Sequence, residues 1–272
     1  MLTVPSADGT EVRAYDEGQG PAIVMLHPGL DAGTRPKRLA ALLTPRHRVL
    51  RLIRRQYRLD LKPRKTTVAQ EVQDAVAVAQ STGGPVLLYG HSDGGVVALE
   101  ALAAAPAAFA GAVIFEPAAV IDANEPLAGK GGAVLLQARA LLAQGKPGKA
   151  IGVFLRETIE LKPWQASLTA FLVGIYPHYR RLVGAQLDSL EALDQLGVRL
   201  DTYSRITVPT VLLGGDRGPA HIARRLNAVA GAMPHARKVV MPGRDHGADL
   251  KAPKEVAAVI EALARECLAS RS

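Results

Sequence analysis

Short apolar runs rich in β-branched residues alternate along this chain with longer segments of helical periodicity. The runs predict buried strands at residues 22–26, 49–53, 85–89, 111–115, 208–213 and 237–241. The helical segments that follow or separate them are residues 35–43, 68–80, 94–105, 221–230 and 254–268. Because a connection that contains a helix brings the next strand back parallel to the first, this order predicts an α/β fold with a mostly parallel sheet.

The N-terminus has a different pattern. Residues 2–5 and 11–15 are two short strand-like runs on either side of Asp8-Gly9, a dipeptide that favours a tight turn. We expect an antiparallel hairpin at the edge of the sheet, with a plain coil as the alternative.

Residues 117–207 interrupt the alternation. They contain no convincing strand but four amphipathic helical segments, at residues 133–144, 149–161, 164–174 and 178–196. We therefore divide the chain into an α/β core domain, residues 1–116 and 208–272, and an inserted helical cap or lid, residues 117–207. The cap is rich in large aromatic side chains, and we expect these to line a pocket or to form its own small core: Phe154, Trp164, Phe171, Tyr176 and Tyr179.

Composition excludes several classes of protein. With 48% hydrophobic and 21% charged residues, the chain is neither disordered nor of low complexity. The single cysteine, Cys267, rules out an intramolecular disulfide and a cysteine-rich zinc site. The first twenty residues lack the apolar core of a secretory signal, and no apolar run reaches the roughly 20 residues of a membrane helix. These features predict a cytoplasmic protein with no membrane partner.

The chain is basic, with a formal net charge of +8. Such a charge suits nucleic acid, an anionic surface or an acidic ligand, and does not choose among them. Seven cations are concentrated between positions 51 and 65, and we favour a solvated basic loop over a positive rim that attracts an anionic substrate. Since Tyr57 is the only aromatic residue among them, we predict no nucleic acid partner. They are Arg51, Arg54, Arg55, Arg58, Lys62, Arg64 and Lys65.

The pattern Gly-x-Ser-x-Gly at residues 90–94 lies between a predicted strand and a predicted helix. A sharp strand-to-helix turn of this kind lifts the hydroxyl of Ser92 above the sheet, and it requires small residues such as Gly90 and Gly94 on both sides. The N-terminus of the following helix would also stabilise negative charge that develops near the serine. The motif predicts that Ser92 is a nucleophile.

With this motif in that position, the chain resembles the α/β-hydrolase superfamily from the N-terminal hairpin to the last helix. The resemblance implies an eight-stranded, mostly parallel sheet flanked by helices, with a cap inserted after the sixth strand. It also implies the chain order serine, acid, histidine. Ser92 then matches the nucleophile and His246, in the loop after the last strand, matches the base. For the acid, we favour Asp216 after the strand at 208–213, with Glu116 at the end of the strand at 111–115 as the rival.

The resemblance places the oxyanion hole at the turn His27-Pro28-Gly29-Leu30. Pro28 has no amide hydrogen and cannot donate. The backbone amides of Gly29 and Asp93 are therefore the candidate donors, with Leu30 as the alternative to Gly29.

Together these features predict a serine hydrolase that cleaves a small-molecule carboxylic ester or lactone through an acyl-enzyme intermediate. We expect it to need no metal and no organic cofactor. The runner-up is an acyltransferase or cyclase on the same fold. A non-catalytic binding protein with a basic surface is the third and least favoured alternative.

Overall fold

A computed structural model describes residues 1–61, 65–129 and 132–268. In this part of the chain, eight strands form one sheet in the order β1-β2-β4-β3-β5-β6-β7-β8. β2 pairs antiparallel with β1 and β4, and all other neighbours pair parallel. The predicted mostly parallel sheet and its N-terminal hairpin are therefore confirmed. The strands are β1 Leu2–Pro5, β2 Glu11–Glu17, β3 Ala22–Leu26, β4 Arg48–Ile53, β5 Val86–His91, β6 Phe109–Phe115, β7 Thr210–Gly215 and β8 Arg237–Met241.

The helices agree with the predicted segments to within a few residues at each end. Two single-turn helices, α8 and α10, are present where the sequence analysis predicted none. The helices are α1 Lys37–Leu43, α2 Val68–Gln80, α3 Asp93–Ala104, α4 Ala133–Ala143, α5 Pro147–Glu157, α6 Pro163–Ile175, α7 Pro177–Leu196, α8 Leu200–Tyr203, α9 Ala220–Ala232, α10 Ala248–Lys251 and α11 Pro253–Leu268.

The central strands of the sheet are apolar on both faces, and helices cover both of these faces. Along β3, Val24 and Leu26 point to the side of α2 and α3, whereas Ile23 and Met25 point to the side of α1 and α11. These four side chains have no solvent exposure. Because a parallel strand buried on both faces needs no polar alternation, its sequence is a continuous apolar run.

Helices α4 to α7 lie between β6 and β7 in the chain, and we call them the helical insertion. Within it α4 packs on α5 and α7, and α6 packs on α5 and α7. α7 also contacts α2, α3 and the turn Arg55–Tyr57 of the α/β layers. The insertion is thus attached to the sheet layers through α7, beside the helix that follows Ser92.

The first turn of α3 approaches β3 so closely that it requires a glycine. A Cβ atom on Gly94 would lie 2.4 Å from the carbonyl oxygen of His27 and 2.7 Å from that of Leu26. We predict that Gly94→Ala lowers the free energy of unfolding by about 1–3 kcal/mol or more, because backbone would have to move. Urea unfolding followed by circular dichroism measures this effect.

Gly231→Ala is the matched control. Gly231 is also helical, in α9, but a Cβ there would have nothing within 4 Å. This substitution should be neutral or stabilising by up to about 1 kcal/mol, because alanine favours helix. Equal effects of the two substitutions would contradict the proposed close approach of α3 to β3.

Candidate active site

Ser92 occupies a strained turn between β5 and α3. Its backbone has φ 56° and ψ −122°, a conformation that is unfavourable for a residue with a Cβ by about 1–3 kcal/mol. The Ser92 amide donates to the carbonyl of Phe115 at 3.0 Å, and its carbonyl accepts from the amide of Ala118 at 3.0 Å. A Cβ on Gly90 would lie 2.6 Å from that of Ala98, so the turn also requires this glycine. Contacts from the end of β6 therefore hold Ser92 in its conformation.

His246 follows β8 and contacts a buried carboxylate. Its Nδ1 lies 2.6 Å from Oε2 of Glu116, the distance of a strong charge-assisted hydrogen bond. The Glu116 side chain is 2% exposed, and its Oε1 accepts from the amide of Gly215 at 2.8 Å. The imidazole centroid lies 4.6 Å from that of His91, the residue before Ser92. The structure thus brings His246 to the turn that carries Ser92.

Asp216 has a different contact from the one expected. Its Oδ1 accepts from the amide of Gly243 at 2.6 Å, which joins the loop after β7 to the loop after β8. The preferred assignment of Asp216 as the partner of His246 is therefore corrected in favour of its rival, Glu116. The physical reason is the strand order, because β6 is the neighbour of β5, whereas β7 lies one strand farther from Ser92.

Asp93, the residue after Ser92, belongs to a buried network of charged and polar groups. Its Oδ2 accepts hydrogen bonds from the hydroxyls of Tyr57 and Ser189, both at 2.9 Å, and lies 3.1 Å from Nη1 of Arg54. Nη2 of Arg54 also donates to Glu71 at 2.7 Å. Burial by itself would raise the pKa of Asp93, but the Arg54 charge and the two hydroxyls hold it below its usual value. The carboxylate is thus ionised and fixed in place.

The opposite holds for Glu71. Burial raises its pKa above the usual value, and the neighbouring Arg54 charge offsets only part of that effect. Of the two carboxylates that contact Arg54, Asp93 therefore has the lowered pKa and Glu71 the raised one. Asp93 is the one next to Ser92.

The basic segment at positions 51–65 is neither a solvated loop nor a positive rim in the part that the structure describes. Four of its arginines are buried and each is paired with a carboxylate from another element or the same turn, so their charges are neutralised. Lys65 is exposed and pairs with Glu191 at 2.8 Å, while Lys62 and Arg64 lie outside the described residues. The buried pairs are Arg51–Glu17 at 2.9 Å, Arg54–Glu71 at 2.7 Å, Arg55–Asp8 at 2.6 Å and Arg58–Asp60 at 2.6 Å.

The candidate oxyanion donors lie under α7. Gly29 is covered by the side chain of Gln186, since a Cβ on Gly29 would lie 1.7 Å from its Oε1. The same Oε1 lies 3.2 Å from the Tyr57 hydroxyl. The amide of Gly29 has no hydrogen-bond acceptor within the described residues, and Asp93 is the first residue of α3, whose amide has no intrahelical acceptor. The backbone amides of Gly29 and Asp93, near the N-terminus of α3 and next to Ser92, are therefore without an acceptor within the described residues.

A second buried cluster lies behind His246. His91 stacks on Phe115 with ring centroids 4.5 Å apart, and its Nδ1 lies 3.2 Å from Oδ2 of Asp249. Arg35 donates two hydrogen bonds to Asp249, at 2.7 and 2.6 Å. Burial lowers the pKa of His91 to about 4, although the Asp249 charge opposes this shift. His91 is therefore a neutral imidazole at neutral pH.

This lowered pKa predicts a loss of stability in mild acid. Between pH 6.5 and about 4 the unfolded chain protonates His91 whereas the folded chain does not, so the free energy of unfolding falls as the pH falls. His91→Gln cannot take up that proton, and its stability should fall less over the same range, by up to about 3 kcal/mol. Urea unfolding at a series of pH values measures the difference.

His235→Gln is the control, because His235 is exposed. Its stability curve should run parallel to that of the unchanged protein. If the His91→Gln curve were parallel as well, His91 would not be a neutral buried imidazole.

Comparison with known proteins agrees with this fold. The profile of the alpha/beta hydrolase family matches residues 23–259. No functionally curated protein matches the sequence. Among solved structures, an alpha/beta hydrolase from Sphaerobacter thermophilus DSM 20745 has a TM-score of 0.82 at 25% identity, covering 96% of this chain and 99% of that one. The esterase RhEst1 from Rhodococcus sp. ECU1013 has a TM-score of 0.73 at 19% identity, covering 98% of each chain. A thermophilic esterase from Thermogutta terrifontis has a TM-score of 0.72 at 19% identity, also over 98% of each chain.

The eight-stranded sheet with its antiparallel edge, flanked by helices, is the α/β-hydrolase fold. Since the family profile covers most of the sequence, this chain belongs to the alpha/beta hydrolase family and is a hydrolase enzyme.

Proposed function

We propose that this hydrolase cleaves a small-molecule carboxylic ester or lactone through an acyl-enzyme intermediate formed on Ser92. The observation that carries the proposal is the 2.6 Å contact between His246 and the buried Glu116, beside the strained turn of Ser92. A histidine that is oriented by a carboxylate and placed near a serine is the arrangement that activates a hydroxyl for attack on a carbonyl carbon. The esterases among the structural neighbours support the choice of an ester as substrate.

In the acylation step, Ser92 Oγ attacks the carbonyl carbon and its proton passes to His246. Because Nδ1 of His246 faces Glu116, its Nε2 is the nitrogen that accepts this proton. The tetrahedral intermediate then expels the alkoxide, which receives the proton from His246 and leaves as an alcohol. A lactone follows the same step, except that the alcohol stays attached to the acyl group.

In the deacylation step, water attacks the acyl carbon while His246 accepts one of its protons. The bond to Ser92 Oγ breaks, the serine regains a proton from His246, and the carboxylic acid is released. Glu116 keeps its own charge throughout, orients the imidazole and stabilises the imidazolium form. The Gly215 amide supports this role, because it donates to the other oxygen of Glu116 at 2.8 Å.

The amides of Gly29 and Asp93 are our candidates for the oxyanion hole, with Leu30 as the alternative to Gly29. They flank the N-terminus of α3, where the helix dipole also favours negative charge. The buried network around Asp93 supports this assignment, because a residue fixed through Arg54 and Tyr57 has a fixed amide direction. Preorganised donors of this kind stabilise a developing oxyanion without further rearrangement.

We assign the helical insertion the role of a cap over this site. α7 contributes Gln186 beside Gly29 and Ser189 beside Asp93, so the insertion reaches both candidate donor residues. A cover of this kind limits the entry of water and bounds the space for the acyl or alcohol group.

The assignment of the acid is tested by Glu116→Gln and Asp216→Asn. We expect Glu116→Gln to lower kcat for a p-nitrophenyl ester by about 10²–10⁴-fold, because the neutral amide neither orients the imidazole correctly nor stabilises its charged form. Asp216→Asn keeps a side-chain oxygen that can accept from Gly243, so its kcat should stay within about twofold. Steady-state kinetics measures both.

Ser92→Ala should abolish turnover and labelling by a fluorophosphonate probe, and circular dichroism checks that each variant is folded. Loss of activity in Asp216→Asn with retention in Glu116→Gln would overturn the assignment of the acid. Full turnover in Ser92→Ala would overturn the serine mechanism itself.

A further inference from the structure

The helical insertion exposes an unusual concentration of large apolar side chains. Seven of the thirteen exposed large hydrophobic residues in the described part of the chain lie in α6, at the start of α7 or at Tyr176 between them. Trp164 and Phe171 are each 64% exposed. Scattered exposed apolar residues are normal, but a contiguous set marks an interaction surface. We call this set the α6 face: Trp164, Leu168, Phe171, Leu172, Ile175, Tyr176 and Tyr179.

Helical spacing makes the α6 face continuous. Trp164, Leu168, Phe171 and Ile175 follow one another at intervals of four, three and four residues, which places them along one side of α6. The side of α6 that contains the buried Ala166 and Val173 packs within the insertion. α6 is thus apolar on its packed side and on its exposed side.

The interpretation that the insertion's aromatic residues form its own small core fails for most of them. Phe154 is buried and belongs to the packed interior, as one alternative expected. Trp164, Phe171, Tyr176 and Tyr179 are between 44% and 64% exposed, so they form no core, and side chains this exposed do not line an enclosed pocket.

The charged side chains of residues 161–187, the segment that carries the α6 face, have one sign. Residues 161–187 include Lys162, Arg180 and Arg181 but no aspartate or glutamate. The acidic residues nearest in sequence to either end include Glu160, which lies 3.1 Å from His221, and Asp188, which lies 2.8 Å from Arg139. Glu157 and Glu160, just before α6, are exposed as well, so the cationic character belongs to residues 161–187 themselves. An apolar face whose own segment carries only cations is complementary to a surface that is apolar inside and anionic outside.

An open cleft of about 400 Å³ adjoins the end of the α6 face. Arg181 donates to the carbonyl oxygen of Leu59, and no carboxylate among the described residues pairs with Arg180. A guanidinium in such a cleft suits a phosphate group. The residues that line the cleft are Leu142, Gly145, Pro147, Pro177, Arg180 and Arg181.

We propose that the α6 face binds the surface of a membrane that contains anionic phospholipids. The aromatic and aliphatic side chains enter the headgroup boundary, while Lys162, Arg180 and Arg181 contact phosphate groups. No helix in the described residues is long and apolar enough to cross a bilayer, so the association is with its surface. This differs from the expectation of no membrane partner, which rested on the absence of a spanning segment. The proposal does not depend on the ester hydrolysis proposed above.

Charge argues against a second copy of this chain as the occupant of the α6 face. A symmetric dimer through this face would bring the same three cations of both copies together without carboxylates from residues 161–187 to pair them. An anionic lipid surface has no such conflict.

Trp164 makes the proposal directly measurable, because it is the only tryptophan of the chain. Vesicles of phosphatidylcholine with phosphatidylglycerol should shift its fluorescence to shorter wavelengths and sediment the protein, whereas vesicles of phosphatidylcholine alone should bind at least about tenfold more weakly. Added salt should weaken the binding to anionic vesicles, because it screens the attraction between lysine or arginine and phosphate.

Two double variants separate the apolar from the electrostatic contribution. Leu168→Ser with Phe171→Ser should weaken vesicle partitioning by about tenfold or more, because it removes buried apolar area. Arg180→Gln with Arg181→Gln should weaken it by a similar factor and reduce its salt dependence. The matched control is Val240→Ser, an exposed apolar residue on β8, which should bind as the unchanged protein does.

Several outcomes would overturn the proposal. The proposal fails if anionic vesicles neither shift the Trp164 fluorescence nor sediment the protein. It also fails if the Leu168→Ser, Phe171→Ser double variant binds anionic vesicles as strongly as the unchanged protein does. If light scattering showed a dimer that this variant abolishes, and anionic vesicles did not bind, the α6 face would be a self-association surface instead. Because all the substituted side chains are exposed, circular dichroism should show folded variants, and vesicle binding is measured without reference to enzyme activity.

Discussion

The ion pair between Arg54 and Asp93 is the interaction on which the geometry around Ser92 depends. It joins the turn after β4 to the first residue of α3, and through Glu71, Tyr57 and Ser189 it also reaches α2 and α7. Such a pair is stable in the interior only while all its members are present, since removal of one partner leaves an uncompensated buried charge that costs about 3–5 kcal/mol. The network therefore couples the position of the helical insertion to the residue that follows the serine.

The sequence predicted the centre of the sheet closely because β3 to β7 are largely buried on both faces, and continuous apolar runs mark such strands. The sequence also predicted Ser92 and His246 as one site, from a glycine-flanked turn and the order of the motifs along the chain, and the structure brings His246 to the turn of Ser92. The carboxylate that contacts His246 could not be predicted, because the choice between Asp216 and Glu116 depends on which strand lies next to β5. That neighbour is set by hydrogen bonding between distant segments, and the register pairs His91 of β5 with Phe115 of β6, so that Ser92 and Glu116 follow side by side.

Contacts between distant segments also explain two other differences between the sequence-based expectations and the structure: the burial of the arginines in residues 51–65 and the exposed apolar side of α6. Arg51 and Arg55 are read from the sequence as members of a basic loop, yet their carboxylate partners include Glu17 and Asp8, which lie more than thirty positions earlier in the chain. A local pattern contains no information on such partners. Likewise, the segment at residues 164–174 is predicted to be amphipathic, yet α6 is apolar on its exposed side as well as on its packed side. Helical periodicity does not tell which side the neighbouring helices cover.

Glu116 lies where the chain leaves the sheet for the helical insertion. Two residues later, Ala118 donates its amide hydrogen to the carbonyl of Ser92, and the Glu116 carboxylate holds His246. The residues that lead into the helical insertion thus contact both Ser92 and His246. A displacement of α4 to α7 transmitted along residues 116–118 would move the carboxylate that contacts His246, so the position of the helical insertion and the orientation of this imidazole are coupled through Glu116.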